Sequence, residues 1–507
     1  MQSSGITRFV SYRVLILSFI GLSLLTRLSL HDSNVFFFDG DEAVVGLMAI
    51  DILDGSFPLY FYGQNYGLAG IEALLVSMGI LVFGISMLAI KIPMLALWMS
   101  AVFLLGLSCA IILKNQKALL FLFMANIVLT PAWLVWSMKA RGGYLTSFFL
   151  ASLAVYLLVS RDGKLRLREW AGVGAVVAVI YEAQPLWVPT VIPIILFFLV
   201  KGRPAKENLI RATMSLAAGL SVPLAVFHYI RASAEGVWPT PAINLADRWN
   251  LETLLQLPGT LIASLGGNYY LSTTYSPGNS LFSIVFLSLF AVGAGIAVSH
   301  IWRDRQVGIS SVLLASSLLS LSGFIVSAEA RYLLPFTGLA LLTVASAMAS
   351  VEIGSWLKKA LVGMLLITAA MGASSLTNFA QFSFINMAYL RSDPRPNNDL
   401  AAMEKLIATL DNEGVKYVLS DSETMQYQLS YMTRNRLLAV GRADRCRIRD
   451  NVPKIREAYE NHSDEVALVD YNFYGRYAGM IPLIDDELFY LIHPQPKTLK
   501  QAQFFLD

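Results

Sequence analysis

Charged residues are scarce in this chain. Of its 507 residues only 14% are Asp, Glu, Lys or Arg, while 56% are hydrophobic; a soluble globular domain carries about a quarter charged. With a mean hydropathy of +0.58, that deficit excludes a soluble fold and indicates an integral membrane protein. Cysteine is nearly absent. The two present, Cys109 in an apolar run and Cys446 far downstream, supply neither a disulfide framework nor a cysteine metal site. A formal net charge of +3 is too small to mark a nucleic-acid partner. Internal repeats and low-complexity tracts are lacking, which weighs against a repeat-built transporter.

What fills the sequence is apolar runs. A membrane-crossing helix needs about 20 mostly apolar residues. Candidates lie near residues 14–30, 92–113, 118–136, 144–159, 170–185, 186–200, 212–229, 281–298, 309–326, 333–350 and 360–376, eleven in all. The first follows Arg8 and Arg13 as a signal peptide would, but no small-residue cleavage site follows it, so it reads as a retained span.

One further run, Ile71–Ile90, decides the topology. Fourteen basic residues fall in the loops at 114–117, 161–168, 201–211, 303–305 and 358–359, whereas the alternate loops hold five: Lys139, Arg141, Arg231, Arg248 and Arg331. Basic residues favour the cytoplasmic side. The larger set joins Arg8 and Arg13 there only if Ile71–Ile90 does not cross, so that run is expected to lie along the outer face. The N-terminus is then cytoplasmic, and the loop after the first span, Lys139–Arg141, Glu182, the long loop 230–280 and Glu329–Tyr332 share the outer side.

The loop after the first span, FFFDGDEAVVGLMAIDILDGSFPLYFYGQNYGLAGIE (Phe36–Glu72), places Asp39, Asp41 and Glu42 within four residues beside a membrane. Carboxylates there need partners, water or a chemical role. The same spacing also suits a plain helix start, with Asp41 as N-cap and Glu42 in the first turn. Tyr60, Tyr62, Tyr66 and Trp187 suit either sugar stacking or interfacial anchoring.

From about Arg391 charges become common and apolar runs shorten. Helices are expected at 398–410 and 452–459, and strands at Val415–Asp421, Arg436–Val440 and Glu465–Asp470, which describes a small α/β domain. No Gly-rich phosphate loop follows these strands, so capping or acceptor docking is the role expected of it. The fold class is thus an α-helical polytopic membrane domain, 1–390, with a C-terminal α/β domain, 391–507, on the outer side.

The DE pair Asp41–Glu42, the stretch ILDGSFPLYFYGQNYG leading into an apolar juxtamembrane helix, and SAEARYLLPF (Ser327–Phe336) together resemble the GT-C fold glycosyltransferases. The likeness is to the protein O-mannosyltransferase-like branch and the bacterial lipid A aminoarabinose transferases, and it covers the chain to about residue 350. It implies an inverting transferase using a polyprenyl-phosphate-linked sugar, with the reaction on the outer face; composition and the lack of eukaryotic retention signals point to a bacterial inner membrane. Asp41 is then the general base, with Glu42 beside it. Arg331 and Tyr332, then Lys139 and Arg141, would bind the donor phosphate. Asp39, Tyr62, Gln64, Tyr66, Glu72, Glu182 and Gln184 would line the substrate cavity.

Some relatives hold a divalent ion between an acid of this loop and a His; Glu72 and His228 are the only pair available here, without ligand spacing, and Mg²⁺ or Mn²⁺ on Asp and Glu oxygens is the form such a cofactor would take. No organic cofactor is implied. Acceptor hydroxyls on a lipid, a glycan or a protein all fit, as do membrane lipids as neighbours. A polytopic transporter or flippase for a lipid-linked saccharide is the alternative; it calls for ionisable residues in mid-span, and the apolar runs hold almost none. An O-antigen ligase-like enzyme with a pyrophosphate donor would be expected to carry a long basic outer loop, and Arg231–Gly278 has only Arg231 and Arg248.

Overall fold

The computed structural model describes residues 3–471 and 489–492, apart from residues 32, 34–35, 37, 65, 115, 202–205, 234–250, 268–276, 327–328, 353–354, 381–398, 421–422, 442–446, 449–450 and 472–488. Arg248 and Cys446 lie outside the described residues.

The segments expected as spans are helical, with breaks at Thr130–Pro131 and Leu321–Ser322. They are α1 (Ser3–Leu28), then, after two helices of the first loop, α2 (Gly40–Leu53) and α3 (Gly70–Phe83), the series α4 (Met87–Ile112), α5 (Lys117–Leu129), α6 (Pro131–Trp136), α7 (Tyr144–Ser160), α8 (Leu167–Ala183), α9 (Val188–Lys201) and α10 (Lys206–Ser233). The chain continues through α11 (Leu251–Leu265), α12 (Pro277–Asp304), α13 (Ile309–Ser320), α14 (Gly323–Val326), α15 (Leu334–Ser350) and α16 (Trp356–Ala380). Among the described residues, five helical segments are long and apolar enough to cross a membrane by length and composition: Met87–Ile112, Lys206–Ala232, Asn279–Arg303, Ala330–Ser350 and Trp356–Thr377. The protein is a multi-pass membrane protein.

The run Ile71–Ile90 is not one helix. Gly84 takes φ 66°, which ends α3, and the Ser86 hydroxyl accepts the Ala89 N–H at 3.3 Å to start α4. Fourteen residues at 1.5 Å each give α3 a length of about 21 Å, short of a hydrocarbon core of about 30 Å. Pro131 divides the segment 118–136 in the same way, and the buried Arg27 of α1 repairs the break. Its Nη1 donates to the Val128 carbonyl at 2.8 Å and its Nη2 to that of Trp133 at 3.2 Å. A correction concerns the segment read as a long loop, 230–280: it contains α11, whose apolar positions recur at helical spacing and whose interior Pro258 masked the signal.

The C-terminal region adds α17 (Asp399–Asn412), β1 (Tyr417–Leu419), α18 (Glu423–Met432), β2 (Leu438–Val440), α19 (Asn451–Asn461), β3 (Val466–Tyr471) and β4 (Phe489–Ile492). The strands form one sheet in the order β2-β1-β3-β4, parallel except for β4. Side chains alternate across it. Val418, Ala439, Ala467 and Val469 join the main core, while Leu419, Val440, Val466 and Leu468 pack on α19.

The helix α18, absent from the sequence reading because its residues Glu423–Gln428 are mostly polar, is the strut between the two regions. It packs on α2, which is buried from Glu42 to Ile50. Tyr431 lies so close to Gly46 that a Cβ there would sit 2.6 Å from its ring. The Tyr431 hydroxyl donates to the Ser86 carbonyl at 2.9 Å, and Gln428 Nε2 donates to that of Phe38 at 2.5 Å.

Candidate active site

Asp39, not Asp41, is the N-cap of α2. Its carboxylate accepts the Glu42 N–H at 3.0 Å, and Glu42 Oε2 accepts the Asp39 N–H at 3.1 Å. This is a reciprocal capping box, a motif visible in the spacing Asp39-x-x-Glu42. It turns Asp39 and Glu42 inward and leaves Asp41, at the second helical position, on the open side.

The inward pair is neutralised from distant parts of the chain. Glu42, with no exposed surface, meets Lys91 Nζ at 2.5 Å and Lys139 Nζ at 2.9 Å. Asp39 meets Arg141 Nη2 at 2.6 Å and Lys139 Nζ at 3.3 Å. Burial alone would raise the Asp39 carboxyl; Arg141 and Lys139, with the Glu42 N–H and Lys91, outweigh it and hold it well below the ordinary carboxylate range. Lys139 and Arg141 thus serve the acidic cluster, and Lys139 has no surface left for a donor phosphate. Lys91 is a member that the sequence reading missed, because it looks like a lone cation inside an apolar run.

Asp41 differs from its neighbours. Its side chain is 26% exposed, its Oδ2 lies 2.9 Å from Arg141 Nη1, and its Oδ1 lies 3.5 Å from Nη2 of Arg447. Arg447 comes from the C-terminal region and stands over the Phe61 ring at 5.0 Å. Nothing in the local sequence around Arg447 marks it.

Arg331 lies on a 3-10 turn, Ala330–Leu333, at the start of α15. It pairs with Glu329 at 2.6 Å, lies 5.2 Å over the Tyr332 ring and keeps 21% of its side chain exposed. Tyr66 has charged neighbours from several parts of the chain. Burial raises its hydroxyl pKa, and the hydroxyl also feels Arg447, Tyr332, Arg331 and Asp41. Tyr144 likewise interacts with Arg331, Tyr332, Arg141 and Glu329. Asp41 and Arg331 are thus both charged neighbours of Tyr66.

The remaining residues have other partners. Glu72 is fully buried; its Oε2 accepts the Arg141 N–H at 2.9 Å and its Oε1 the Thr146 N–H at 3.5 Å, so it caps the N-terminus of α7. Gly143 makes room for this with φ 110°; a Cβ there would lie 2.6 Å from the Ala183 carbonyl. Glu182 is buried against Arg231 and accepts the Tyr60 hydroxyl at 3.4 Å. The Tyr62 hydroxyl bonds Asp51, and Trp187 packs on Phe148 at 5.2 Å. Gln184 ends α8, and Gln64 is half-buried in the turn beside Gly67. Of the aromatics named from the sequence, Tyr66 is the one whose hydroxyl feels both Asp41 and Arg331.

His228 is exposed on α10, and the described residues contain no group of three or more His, Cys, Asp or Glu placed to hold a metal. The acidic cluster fits a divalent ion poorly, since Lys91, Lys139, Arg141 and Arg447 already meet its three carboxylates.

No family model matches the chain, and the comparison with curated proteins gives no match. Among solved structures, ArnT from Cupriavidus metallidurans bound to undecaprenyl phosphate is similar with a TM-score of 0.58 at 12% identity, over 95% of this chain and 99% of that one. The apo form of ArnT gives the same TM-score at 10% identity and the same coverage. The arabinofuranosyltransferase AftD from Mycobacteria is similar with a TM-score of 0.50 at 14% identity, over 91% of this chain and 35% of AftD. The fold is the GT-C fold expected from the motifs.

Proposed function

We propose that this chain transfers a sugar from a polyprenyl-phosphate-linked donor to an acceptor hydroxyl, inverting the anomeric centre. The observation that carries this reading is that Asp41 is the one carboxylate of the acidic cluster with an open side, and that it shares Tyr66 as a neighbour with Arg331. Asp41 takes the proton of the acceptor hydroxyl as its oxygen attacks the anomeric carbon. The bond from that carbon to the phosphate oxygen breaks, and polyprenyl phosphate leaves with the negative charge. A single base opposite the leaving group suffices for inversion. Arg331, with Tyr332 beside it, stabilises the developing phosphate charge. Asp39 and Glu42, with Lys139 and Arg141, build the wall that fixes Asp41.

The likeness in fold to ArnT, which was solved with undecaprenyl phosphate, supports a lipid-phosphate donor. The loop charges support a reading in which this face lies outside the cell membrane and the N-terminus is cytoplasmic. In a bacterium the membrane is then the inner one, and the C-terminal domain is extracytoplasmic.

The test is Asp41→Asn in proteoliposomes supplied with polyprenyl-phosphate sugars and cell-envelope acceptors. Loss of transfer by about 10²- to 10⁴-fold, with insertion and fold retained, is expected. Wild-type transfer by that variant would remove the base assignment. Lipid-linked sugar crossing the bilayer without an acceptor, and no transfer, would replace the enzyme with a flippase. Mass spectrometry of surface glycans with and without the gene names the sugar and the acceptor.

A further inference from the structure

Among the described residues, Arg447 is the side chain by which the C-terminal region reaches the base. Arg447 is anchored from behind by its backbone N–H, which donates to the Tyr427 hydroxyl of α18 at 2.9 Å. From the front its backbone rests on the catalytic loop, since a Cβ on Gly63 would lie 3.1 Å from the Arg447 Cα. Between these supports the guanidinium spans Phe61 and Asp41. The two oxygens of Asp41 are therefore unequal. Oδ2 is held by the nearly buried Arg141 at 2.9 Å, a pair that also secures Asp39; Oδ1 is held by Arg447 at 3.5 Å, where both side chains are about a quarter exposed. Oδ1 is the more loosely held of the two, and so the one that an incoming hydroxyl can take over.

We propose that Arg447 is a positioning residue for the acceptor step: it holds Oδ1 of Asp41 in the resting protein, covers that oxygen against water, and yields it to the acceptor hydroxyl. The proposal rests on the reading of Asp41 as base. It gives the C-terminal region a task in choosing an alcohol over water. If water took the acceptor's place, the donor's anomeric carbon–oxygen bond would break, one proton of water would pass to Asp41, and free sugar and polyprenyl phosphate would result. The cover over Oδ1 suppresses that loss.

The experiment uses the full chain in proteoliposomes with synthetic polyprenyl-phosphate hexoses and pentoses. Free sugar released without acceptor is measured beside transfer to cell-envelope acceptors. Arg447→Ala is expected to raise acceptor-free hydrolysis by about fivefold and to lower transfer by a similar factor, the size of one part-exposed ion pair. Arg447→Lys should fall between, and added guanidinium should push Arg447→Ala back toward wild type. Asp41→Asn should lose both reactions. If Asp41→Asn behaves so while Arg447→Ala keeps wild-type partition between water and acceptor, the positioning role is overturned and the base assignment stands. A parallel fall of both rates in Arg447→Ala, unmoved by guanidinium and by Arg447→Lys, would also overturn it, leaving a structural contact. If Asp41→Asn retains both reactions, the reading of the site itself fails.

Discussion

Arg141 Nη1 lies 2.9 Å from Oδ2 of Asp41, while Nη2 of the same guanidinium lies 2.6 Å from Asp39. One planar fork thus joins the helix cap to the open carboxylate and fixes where Asp41 points. Lysine, a point charge on a flexible stem, cannot hold both at once. Arg141→Lys is expected to fold and insert normally yet to transfer sugar about a hundredfold more slowly, the cost of a base displaced by about an ångström. Turnover by a variant purified to wild-type thermal stability checks this.

Glu42 and Lys91 form a contact with no exposed surface on either partner. Removing one charge leaves the other buried. Lys91→Met is expected to destabilise the protein by about 3–5 kcal/mol, seen as a lowered melting midpoint in detergent and poor recovery from membranes. The double change Glu42→Leu with Lys91→Met should recover part of that loss in stability without restoring activity, because the capping box goes with Glu42.

Glu72 gives a pH signature. Burial raises its carboxyl from an ordinary 4.5 to about 7, against the opposing pull of the Thr146, Gly143, Arg141 and Leu145 N–H groups. The folded protein therefore holds this proton more tightly than the unfolded chain does. The stability so gained is complete below 4.5 and is lost as pH rises through about 7. Wild type should lose melting temperature across that window, and Glu72→Gln, which cannot titrate, should lose less. An equal slope in the two proteins would contradict the assignment.

Gly46 of α2 touches the Tyr431 ring of α18, where a Cβ would sit at 2.6 Å. Gly46→Ala favours the helix locally, since Ala is the better helix former by about 1 kcal/mol, yet it must push α18 away. The expected net effect is destabilisation by about 1–3 kcal/mol. Faster proteolysis after the last apolar helix than in wild type would report it, and Tyr431→Phe added to Gly46→Ala should not relieve it, because the ring remains.

Arg331 carries the donor end of the proposal. Arg331→Ala is expected to cut turnover by about 10²- to 10³-fold, as for loss of one preorganised charge partner in a transition state, with melting temperature little changed because the side chain is part-exposed. Kinetics at varied donor concentration checks whether turnover falls with the affinity.

Much of the architecture was legible in advance because it follows from local pattern. The expected spans are helical, since a long apolar run has few other stable outcomes in a bilayer. Gly84 and Pro131 mark breaks by their own backbone preferences. The α18 strut was not legible, because it is polar by composition and owes its burial to α2. The site was legible in part. The spacing of Asp39 and Glu42 carries the capping box, but the choice of Asp41 as open and Glu42 as closed depends on Lys91 of α4 and Lys139 of the segment after α6 arriving from elsewhere in the chain.

By itself the sequence determined that this is a membrane-embedded helical protein with a carboxylate cluster after its first span, for hydropathy and helix-start chemistry are properties of neighbours along the chain. Only the tertiary structure decided which carboxylate remains available, and that Arg447, 406 positions downstream of Asp41, stands over it. Charge neutralisation acts through space and falls steeply with distance and solvent, so a carboxylate's task is set by which cations the packing brings within a few ångströms.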